Sequence, residues 1–279
     1  MSNSQPGGIK LSYFSMLSPS ADASQITGTN STTAAAAATE TRPLKLALII
    51  PTLNEAGNIV PLLDQVRSVL DQAAICYEII VVDDSSTDGT ADLVAAEGLK
   101  DPRIRLLVRT GERGLSGAVL DGWANTDAGV LGVMDADLQH PPELLPQLFQ
   151  AIADGRDLAI GSRYTTGGGF GEWNPVRKFI SFAATAVTWP IQHRGARATD
   201  PMSGFFMVRR SSIDNLRFQR AGFKLLLEVL VRGRIRSVQE TPFSFGLRYR
   251  GASKANFRVA WDYGLLLMRL YAARIFTRN

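Results

Sequence analysis

Five short apolar runs, each ending in a polar or glycine-containing turn, constrain the fold of this chain more than any other feature. They read KLALIIPTLNE, YEIIVVDDSSTDGT, IRLLVRT, GVLGVMDADLQ and DLAIGSR. Stretches with helical spacing lie between them, at residues 58–72, 90–97, 116–125 and 142–154. Runs that alternate in this way are typical of a mostly parallel sheet covered by helices on both faces. The sequence therefore predicts an α/β fold in which ligands bind beyond the carboxyl ends of the strands.

Size and composition limit how such a sheet can be packed. With 279 residues, of which 45% are hydrophobic and 20% charged, the chain can bury one large core or two small ones. Residues 1–43 are rich in Ser, Thr, Ala, Asn and Gly, which predicts a disordered low-complexity tail. We expect the α/β domain at residues 44–250 and an amphipathic C-terminal region at residues 251–279. The single cysteine, Cys76, excludes an intrachain disulfide and a thiolate metal cluster.

The first two runs end in residues suited to hydrogen bonding. Pro51, Asn54 and Glu55 follow the first run, and Asp83 and Asp84 follow the second. Asn54 or Glu55 can cap the next helix, and a turn accounts for much of the second segment. Two adjacent acids at the end of a buried strand go beyond what a turn needs. Their oxygens suit the base N–H groups and ribose hydroxyls of a nucleotide.

The fourth run ends in Asp135-Ala136-Asp137, followed by Gln139 and His140. In an extended chain both aspartates point to the same side, where their charges repel unless a cation or proton lies between them. Mg²⁺ or Mn²⁺ resolves this conflict, because these ions take oxygen ligands and leave positions for a diphosphate. Such a pair is more often a surface turn, but this one follows an apolar strand beside other acidic strand ends. Gln139 can add an oxygen, and for His140 we expect packing or hydrogen bonding.

The polar segments also occur in a characteristic order along the chain. They read PTLNEAGNI, EIIVVDDSSTDGT, RGLSGAVLDG, VMDADLQHPPE, IGSRY, RKFIS, DPMSGFF and FGLRYRGASK. This order resembles that of family 2 glycosyltransferases, and more narrowly that of polyprenol-phosphate sugar transferases of the dolichol-phosphate mannose synthase type. The resemblance extends from Lys45 to Tyr271. Each segment alone is moderately specific, whereas their ordered combination is highly specific.

The resemblance implies a GT-A fold, which is Rossmann-like, and it assigns roles to individual residues. The donor nucleotide would be bound by Pro51, Asn54, Glu55, Asp83, Asp84, Asp135 and Ala136. The metal ion on the donor diphosphate, Mg²⁺ or Mn²⁺, would be held by Asp135, Asp137 and Gln139. The donor and acceptor phosphates would be bound by Arg163, Arg177, Arg248 and Lys254. The catalytic residues would be Asp137, Arg163 and Arg177.

The implied reaction is an inverting transfer of a sugar from a nucleotide-sugar donor to dolichyl or polyprenyl phosphate. The charge that grows on the nucleoside diphosphate must be stabilised by a metal or by cationic side chains, and arginine can pair with two phosphate oxygens. The acceptor is already an anion, so it needs no general base. GDP-mannose is the expected donor. The alternatives are a UDP-glucose-dependent transferase, a polysaccharide glycosyltransferase and a non-catalytic nucleotide-sugar-binding membrane scaffold.

Several other side chains have two interpretations. Asp200 can contact sugar hydroxyls, orient an arginine or be an ordinary loop acid. Arg163 directly follows a strand, which favours function, whereas Arg250 fits a surface position better. We expect the glycine loop at residues 167–171 to close over the site, and residues 113–118 to pack a helix against the sheet.

Two segments suit a membrane surface. Residues 178–189 and 260–276 are apolar or amphipathic with Trp, Tyr or Arg near their ends, which is typical of helices in the lipid interface. Either segment alone is more often a helix packed on a core. Basic residues outnumber acidic ones after Arg209, and with a lipid acceptor this favours a lipid surface over nucleic acid. Lacking a signal peptide and a bilayer-spanning run, the chain is expected to be cytoplasmic and peripheral on a membrane, alone or through a partner subunit.

Overall fold

A computed structural model describes residues 44–111, 113–169, 175–193, 195–220, 224–244 and 264–272 of the chain. Residues 175–180 are described by their backbone. The predictions for the tail at residues 1–43, for Arg248, Arg250 and Lys254, and for the end of the glycine loop lie outside these ranges.

Strands and helices alternate along most of the described chain, as the apolar runs predict. The strands are β1 (Lys45–Thr52), β2 (Cys76–Asp83), β3 (Ile104–Val108), β4 (Val130–Val133), β5 (Leu158–Ser162), β6 (Phe206–Arg209) and β7 (Val238–Pro242). The helices are α1 (Ile59–Gln72), α2 (Thr90–Lys100), α3 (Leu115–Ala124), α4 (Leu145–Ala153), α5 (Pro175–Ala186), α6 (Leu225–Arg232) and α7 at residues 264–272. A 3₁₀ turn at Pro142–Leu144 leads into α4, where a proline without an N–H group costs nothing.

The strands form a seven-stranded sheet in the order β3-β2-β1-β4-β6-β5-β7. Neighbouring strands run parallel except at β6, which is antiparallel to both β4 and β5. The predicted mostly parallel α/β fold is therefore confirmed. The sequence did not predict β6 and β7. β6 is four residues long, and the sequence of β7, VQETP, has no apolar run.

Helices cover both faces of the sheet and bury an apolar core on each. Side chains alternate along β1, so that Leu46, Leu48 and Ile50 belong to the core shared with α1 and α4. Ala47 and Ile49 belong to the opposite core, shared with α3 and α6, and all five side chains are fully buried. Burying a side chain of the Leu or Ile size contributes about 1.5–3 kcal/mol, so this strand anchors both layers.

The contact between α3 and the sheet is close, as predicted for this segment. Ala118 is buried in the core, and a Cβ at Gly122 would lie 2.6 Å from Cγ2 of Ile49. A side chain at Gly122 would have to displace Ile49. At the start of α3, the Gly114 backbone N–H donates a hydrogen bond of 2.8 Å to Asp84, the residue after β2.

The carboxyl ends of β1, β2, β4 and β5 lie along one edge of the sheet. Thr52 pairs with Asp83 at the end of β1 and β2, and Val133 at the end of β4 lies beside Ile49. Because β6 is antiparallel, the segment that precedes it, residues 199–205, reaches the same edge. This edge therefore gathers every loop that carries a predicted site residue within the described chain.

The helix α7 packs on the protein through one face. Leu270 is buried against Ile191, Leu227 and Val231, while Met268 is 61% exposed. The Tyr271 hydroxyl donates a hydrogen bond of 2.6 Å to the carbonyl oxygen of Val187, just after α5. Across the described ranges, no helix is both long enough and apolar enough to cross a membrane. Insertion of α5 and α7 into a lipid interface stays a prediction.

Candidate active site

The acidic segment after β4 forms a turn rather than an extended chain. The chain bends at residues 136–138, and Leu138 has a φ of +61°. Nδ1 of His140 accepts a hydrogen bond of 3.2 Å from the backbone N–H of Asp135, which draws the segment back on itself. The expectation of an extended strand at Asp135 and Asp137 is therefore wrong in its local geometry. The turn nevertheless keeps the two carboxylates close enough that the charge of Asp137 affects the pKa of Asp135.

The Asp135 carboxylate is placed where a cation would be favourable. Its Oδ1 is buried and has no hydrogen-bond partner among the described residues. It lies against Gly204, where a Cβ would be only 2.7 Å from Oδ2. Burial raises the pKa of Asp135, and the negative charge of Asp137 adds to this rise. A buried carboxylate oxygen without a donor needs a cation or a proton, so the predicted Mg²⁺ or Mn²⁺ fits this position.

Other oxygens would have to complete the coordination of such an ion. Oδ1 of Asp137 accepts a hydrogen bond of 3.2 Å from the backbone N–H of Gln139, so the turn orients this side chain. Within the described part of the chain, no group of three His, Cys, Asp or Glu side chains could hold a metal ion. Two carboxylates together with Gln139, water or phosphate oxygens match the ligands that Mg²⁺ takes beside a bound nucleotide.

His140 has the packing and hydrogen-bonding role expected for it. Its side chain is 2% exposed, stacks on Phe205 at a ring distance of 5.1 Å and meets the ring of Phe243 edge-on at 5.6 Å. Burial lowers the pKa of His140, which favours the neutral form. Since Nδ1 accepts a hydrogen bond, the proton of the neutral ring lies on Nε2, 3.9 Å from Oδ2 of Asp135.

Arg163 is held by a buried partner directly after β5. Its Nε and Nη2 donate to Oδ2 and Oδ1 of Asp200, each at 2.7 Å, and its backbone N–H donates to Oδ2 at 3.1 Å. Asp200 is fully buried. Burial opposes the charge of Arg163, but the hydrogen bonds and charge of Asp200 raise its pKa overall. Of the interpretations offered for Asp200, orientation of an arginine is the one that the structure displays.

Lys224 lies at the same place and was not predicted from the sequence. It is the residue before the first turn of α6. Burial lowers its pKa to about 8, and the positive charge of Arg163 acts in the same direction, whereas Asp200 and Asp135 oppose it. The site therefore brings two cations, Arg163 and Lys224, within electrostatic range of Asp135. Lys224 precedes a helix and does not follow an apolar run, so nothing in the sequence marked it as a site residue.

The predicted nucleotide-binding residues lie at the neighbouring strand ends. Asn54 has a φ of +60°, and its side-chain oxygen accepts a hydrogen bond of 2.9 Å from the backbone N–H of Thr87. Oε2 of Glu55 accepts from Asn58 at 2.7 Å. The Asn54 contact ties the loop after β1 to the loop after β2, whereas the Glu55 contact is local to the first loop. Pro51 lies within β1.

The two adjacent acids at the end of β2 also have partners within the protein. Asp83 is fully buried and accepts hydrogen bonds from the Thr52 hydroxyl at 3.1 Å and the Ser86 backbone N–H at 2.8 Å. Asp84 pairs with Arg109 and accepts from the Gly114 backbone N–H at 2.8 Å. The pair thus organises the loops around the predicted nucleotide pocket. Nucleoside contact by these residues stays a prediction, as it does for Ala136, which is buried between the two aspartates of the turn.

An apolar cavity opens beside Arg163. Its volume is about 510 Å³, and its lining consists of Tyr164, Phe182, Thr185, Ala186, Trp189 and Thr199. Phe182 and Trp189 are 61% and 43% exposed, so the cavity is continuous with an apolar patch on the surface. Arg177, a predicted phosphate ligand, lies in the first half of α5 among the residues described by backbone alone. Its role stays a prediction.

The α/β fold, with its mostly parallel seven-stranded sheet, is of the GT-A type. Two solved structures share the fold. Mannosyl-3-phosphoglycerate synthase from Rubrobacter xylanophilus has a TM-score of 0.61 at 18% identity, covering 84% of this chain and 75% of that one. Glucosyl-3-phosphoglycerate synthase from Mycobacterium tuberculosis, in complex with Mn²⁺, UDP-glucose and glycerol 3-phosphate, has a TM-score of 0.60 at 18% identity, covering 83% and 80%.

The chain belongs to glycosyltransferase family 2, as its motif order predicted. The family model described as glycosyl transferase family 2 matches residues 47–217. A dolichol-phosphate mannosyltransferase of Pyrococcus furiosus is 40% identical over 81% of this chain and 64% of its own length, so the chain spans less than two thirds of that relative. One of Saccharomyces cerevisiae is 36% identical over 85% of this chain and 90% of its own length. An undecaprenyl-phosphate mannosyltransferase of Micrococcus luteus is 32% identical over 76% and 87%.

Proposed function

We propose that this enzyme transfers mannose from GDP-mannose to a polyprenyl phosphate, with inversion at the sugar carbon. The observation that carries the proposal is the meeting of an acidic turn, Asp135 to Asp137, with Arg163 and Lys224 at one edge of the sheet. This arrangement suits a sugar diphosphate, which needs both a metal and cationic side chains. The choice of mannose and of a polyprenyl phosphate is supported by the names of the dolichol-phosphate and undecaprenyl-phosphate relatives.

The chemistry of the site follows from the charge that develops during transfer. One bond forms between an acceptor phosphate oxygen and the anomeric carbon, while the bond from that carbon to the donor phosphate breaks. A divalent ion bound by Asp135 and Asp137 would neutralise charge on the leaving diphosphate. Arg163 would donate to phosphate oxygens with its position fixed by Asp200, so little reorganisation is needed during the reaction.

No side chain is required to remove a proton from the acceptor. The attacking oxygen belongs to a phosphate monoester that is already ionised at neutral pH. His140 is unsuited to the task, because it is buried against Phe205 and Phe243 and its Nε2 lies 3.9 Å from Oδ2 of Asp135. The site is therefore built for positioning and charge stabilisation.

The cavity beside Arg163 suits the first isoprenoid units of such an acceptor. It is apolar, it opens to the surface near Phe182 and Trp189, and it lies next to a cation that can hold the phosphate. The patch also supports attachment to a membrane surface, where a polyprenyl phosphate would be found. We propose peripheral binding on the cytoplasmic face, with a membrane partner subunit as a further means of attachment.

The proposal is tested by an assay of sugar transfer to polyprenyl phosphate in liposomes. Purified protein is supplied with GDP-mannose or UDP-glucose, in the presence of Mg²⁺, Mn²⁺ or EDTA, and the radiolabelled lipid product is counted. We expect transfer from GDP-mannose with either ion and none with EDTA. Transfer only from UDP-glucose would show that UDP-glucose, and not GDP-mannose, is the donor. Nucleotide binding without transfer to any lipid phosphate would favour the non-catalytic alternative.

A further inference from the structure

Glu240 organises the segment that holds Arg163, although it lies on a strand that the sequence did not reveal. It is part of β7, opposite Ile160 of β5. Its carboxylate accepts hydrogen bonds from the backbone N–H groups of Thr199 at 2.8 Å and Asp200 at 3.1 Å. The Thr199 hydroxyl also donates to it, at 2.9 Å. Carboxylates that accept several backbone N–H bonds are strong local anchors, since each bond is charge-assisted.

The anchored segment supports the cationic part of the site. With its backbone fixed by Glu240, Asp200 presents a fully buried carboxylate to the guanidinium and the backbone N–H of Arg163. The Thr199 hydroxyl lies 3.3 Å from Oγ of Ser162, the residue before Arg163, which adds a second link to β5. A chain of contacts therefore runs from Glu240 through the backbone of residues 199–200 to Arg163.

The other end of the same segment supports the acidic part of the site. Ser203 donates a hydrogen bond of 2.8 Å to the carbonyl oxygen of Gly161, and Gly204 lies directly against the Asp135 carboxylate. The segment is thus tied to β5 and β7, and it contacts Arg163 at one end and Asp135 at the other.

We infer that Glu240 is a positioning residue for Arg163, acting through the backbone of Thr199 and Asp200. The inference rests on the proposed function in one respect, namely that Arg163 acts on phosphate. A glutamine at position 240 offers one acceptor oxygen, and its amide group would face N–H donors, so the Asp200 carboxylate loses its fixed position. Arg163 then keeps its charge but not its orientation, and a bidentate contact with phosphate is sensitive to orientation.

The chain provides a matched control for the loss of such an anchor. Asp157, at the other end of β5, accepts hydrogen bonds from the backbone N–H groups of Arg236 at 2.8 Å and Ser237 at 3.1 Å, and from the Ser237 hydroxyl at 3.2 Å. Asp157→Asn removes a carboxylate that likewise accepts two backbone N–H bonds, here from the residues just before β7 and at the end of β5 far from Arg163. Any effect of Glu240→Gln that Asp157→Asn lacks cannot come from weaker pairing of β5 and β7 alone.

Two measurements test the inference. The first is kcat/KM for the donor in wild type, Glu240→Gln, Arg163→Lys and the double variant. We expect Glu240→Gln to lower kcat/KM about 10–100-fold in the wild-type background, as outer-shell partners do, and about twofold or less beside Arg163→Lys. Asp157→Asn should have the same small effect in both backgrounds. If Glu240→Gln lowered kcat/KM by the same factor in the wild-type and Arg163→Lys backgrounds, the inference would be overturned.

The second measurement is hydrogen exchange, which does not depend on the identity of the donor. Glu240→Gln should speed exchange at the amides of Thr199, Asp200 and Arg163, whereas Asp157→Asn should speed it at Arg236 and Ser237. Unchanged protection of the Arg163 amide in Glu240→Gln would also overturn the inference. If the wild type transferred no mannose, the proposed function would fail, and the exchange data would still decide whether Glu240 positions Arg163.

Discussion

Burial of some charged side chains of the site destabilises the folded protein. Burial raises the pKa of Asp135 and lowers that of Lys224 to about 8, so each charge is held at a cost in the free energy of folding. Groups of this kind are retained where binding or catalysis needs them. We therefore expect that replacing such a residue stabilises the fold while impairing the reaction.

Lys224→Met tests this expectation. At pH 7 the substitution removes a desolvated ammonium group, and we expect the free energy of unfolding to rise by about 1 kcal/mol or more. The value of kcat/KM for the donor should fall about tenfold or more, because a cation near the diphosphate is lost. Thermal unfolding and steady-state kinetics measure the two effects. Lys100→Met is the control for loss of an exposed charge, since Lys100 is 67% exposed on α2; because it pairs with the buried Glu97, this variant should not be stabilised.

The pH dependence of this effect has a definite sign. The pKa of Lys224 is lower in the folded protein than in the unfolded chain, so between about pH 8 and 10.5 the unfolded state binds more protons. Wild-type stability therefore rises with pH in that window relative to Lys224→Met, and the two proteins converge. A stability difference that stays constant from pH 7 to pH 10 would contradict the lowered pKa.

Individual site residues were predictable where they directly follow an apolar run. Asp135, Asp137 and Arg163 do so, and a parallel sheet brings such positions to one edge. Lys224 precedes a helix, and Glu240 lies in a strand without an apolar pattern, so no local signal marked them. The pairing of Arg163 with Asp200 joins residues far apart in the chain, and Asp200 alone had several interpretations.

At the scale of elements, the segment between α5 and β6 connects the two charged halves of the site. Its approach to Asp135 depends on Gly204, where a Cβ would lie 2.7 Å from Oδ2 and 3.1 Å from Oδ1. A side chain there must displace either the carboxylate or the segment. The segment between α5 and β6 can therefore approach Asp135 this closely only with a glycine at position 204.

Gly204→Ala should weaken metal binding while leaving the fold intact. We expect the apparent affinity for Mn²⁺ in the presence of GDP to fall about 10–100-fold, because a displaced carboxylate no longer presents its oxygens to the ion. Titration of Mn²⁺ followed by electron paramagnetic resonance measures the change. Gly195→Ala is the control, since a Cβ at Gly195 would meet no atom within 4 Å. Equal Mn²⁺ affinities in the two variants would argue against Asp135 as a ligand.

The elements of the first part of the sheet were predictable because their apolar runs are long and the intervening helices are amphipathic. β1, for example, buries side chains on both faces, as a central parallel strand does. β6 and β7 escaped prediction because β6 is short and β7 is rich in polar residues. Their positions are set by pairing with β5, and such long-range pairing leaves no periodic pattern in the sequence.

At the scale of the whole molecule, an apolar patch surrounds the entrance of the cavity beside Arg163. Phe182, Val187 and Trp189 are 61%, 48% and 43% exposed, and α7 is joined to this region through Tyr271 and Val187. Aromatic side chains at a protein surface suit the lipid headgroup region. The patch would place the cavity where a polyprenyl phosphate can enter it.

The double substitution Phe182→Ser with Trp189→Ser should reduce membrane binding. We expect the liposome partition coefficient measured by flotation to fall about 30-fold or more, because each aromatic buried in the lipid interface contributes on the order of 1–2 kcal/mol. Leu99→Ser is the control, since Leu99 is 92% exposed on α2, away from the patch. Flotation equal to that of the wild type would show that this patch does not contact lipid.

We propose that the acidic turn after β4 holds the metal that supports mannosyl transfer. The most direct test compares Asp137→Asn with Asp92→Asn, an exposed carboxylate of α2, in the assay with GDP-mannose and polyprenyl phosphate. We expect Asp137→Asn to lower the rate about a hundredfold or more at saturating Mn²⁺, whereas Asp92→Asn should retain the wild-type rate. Transfer by Asp137→Asn at the wild-type rate would contradict the claim.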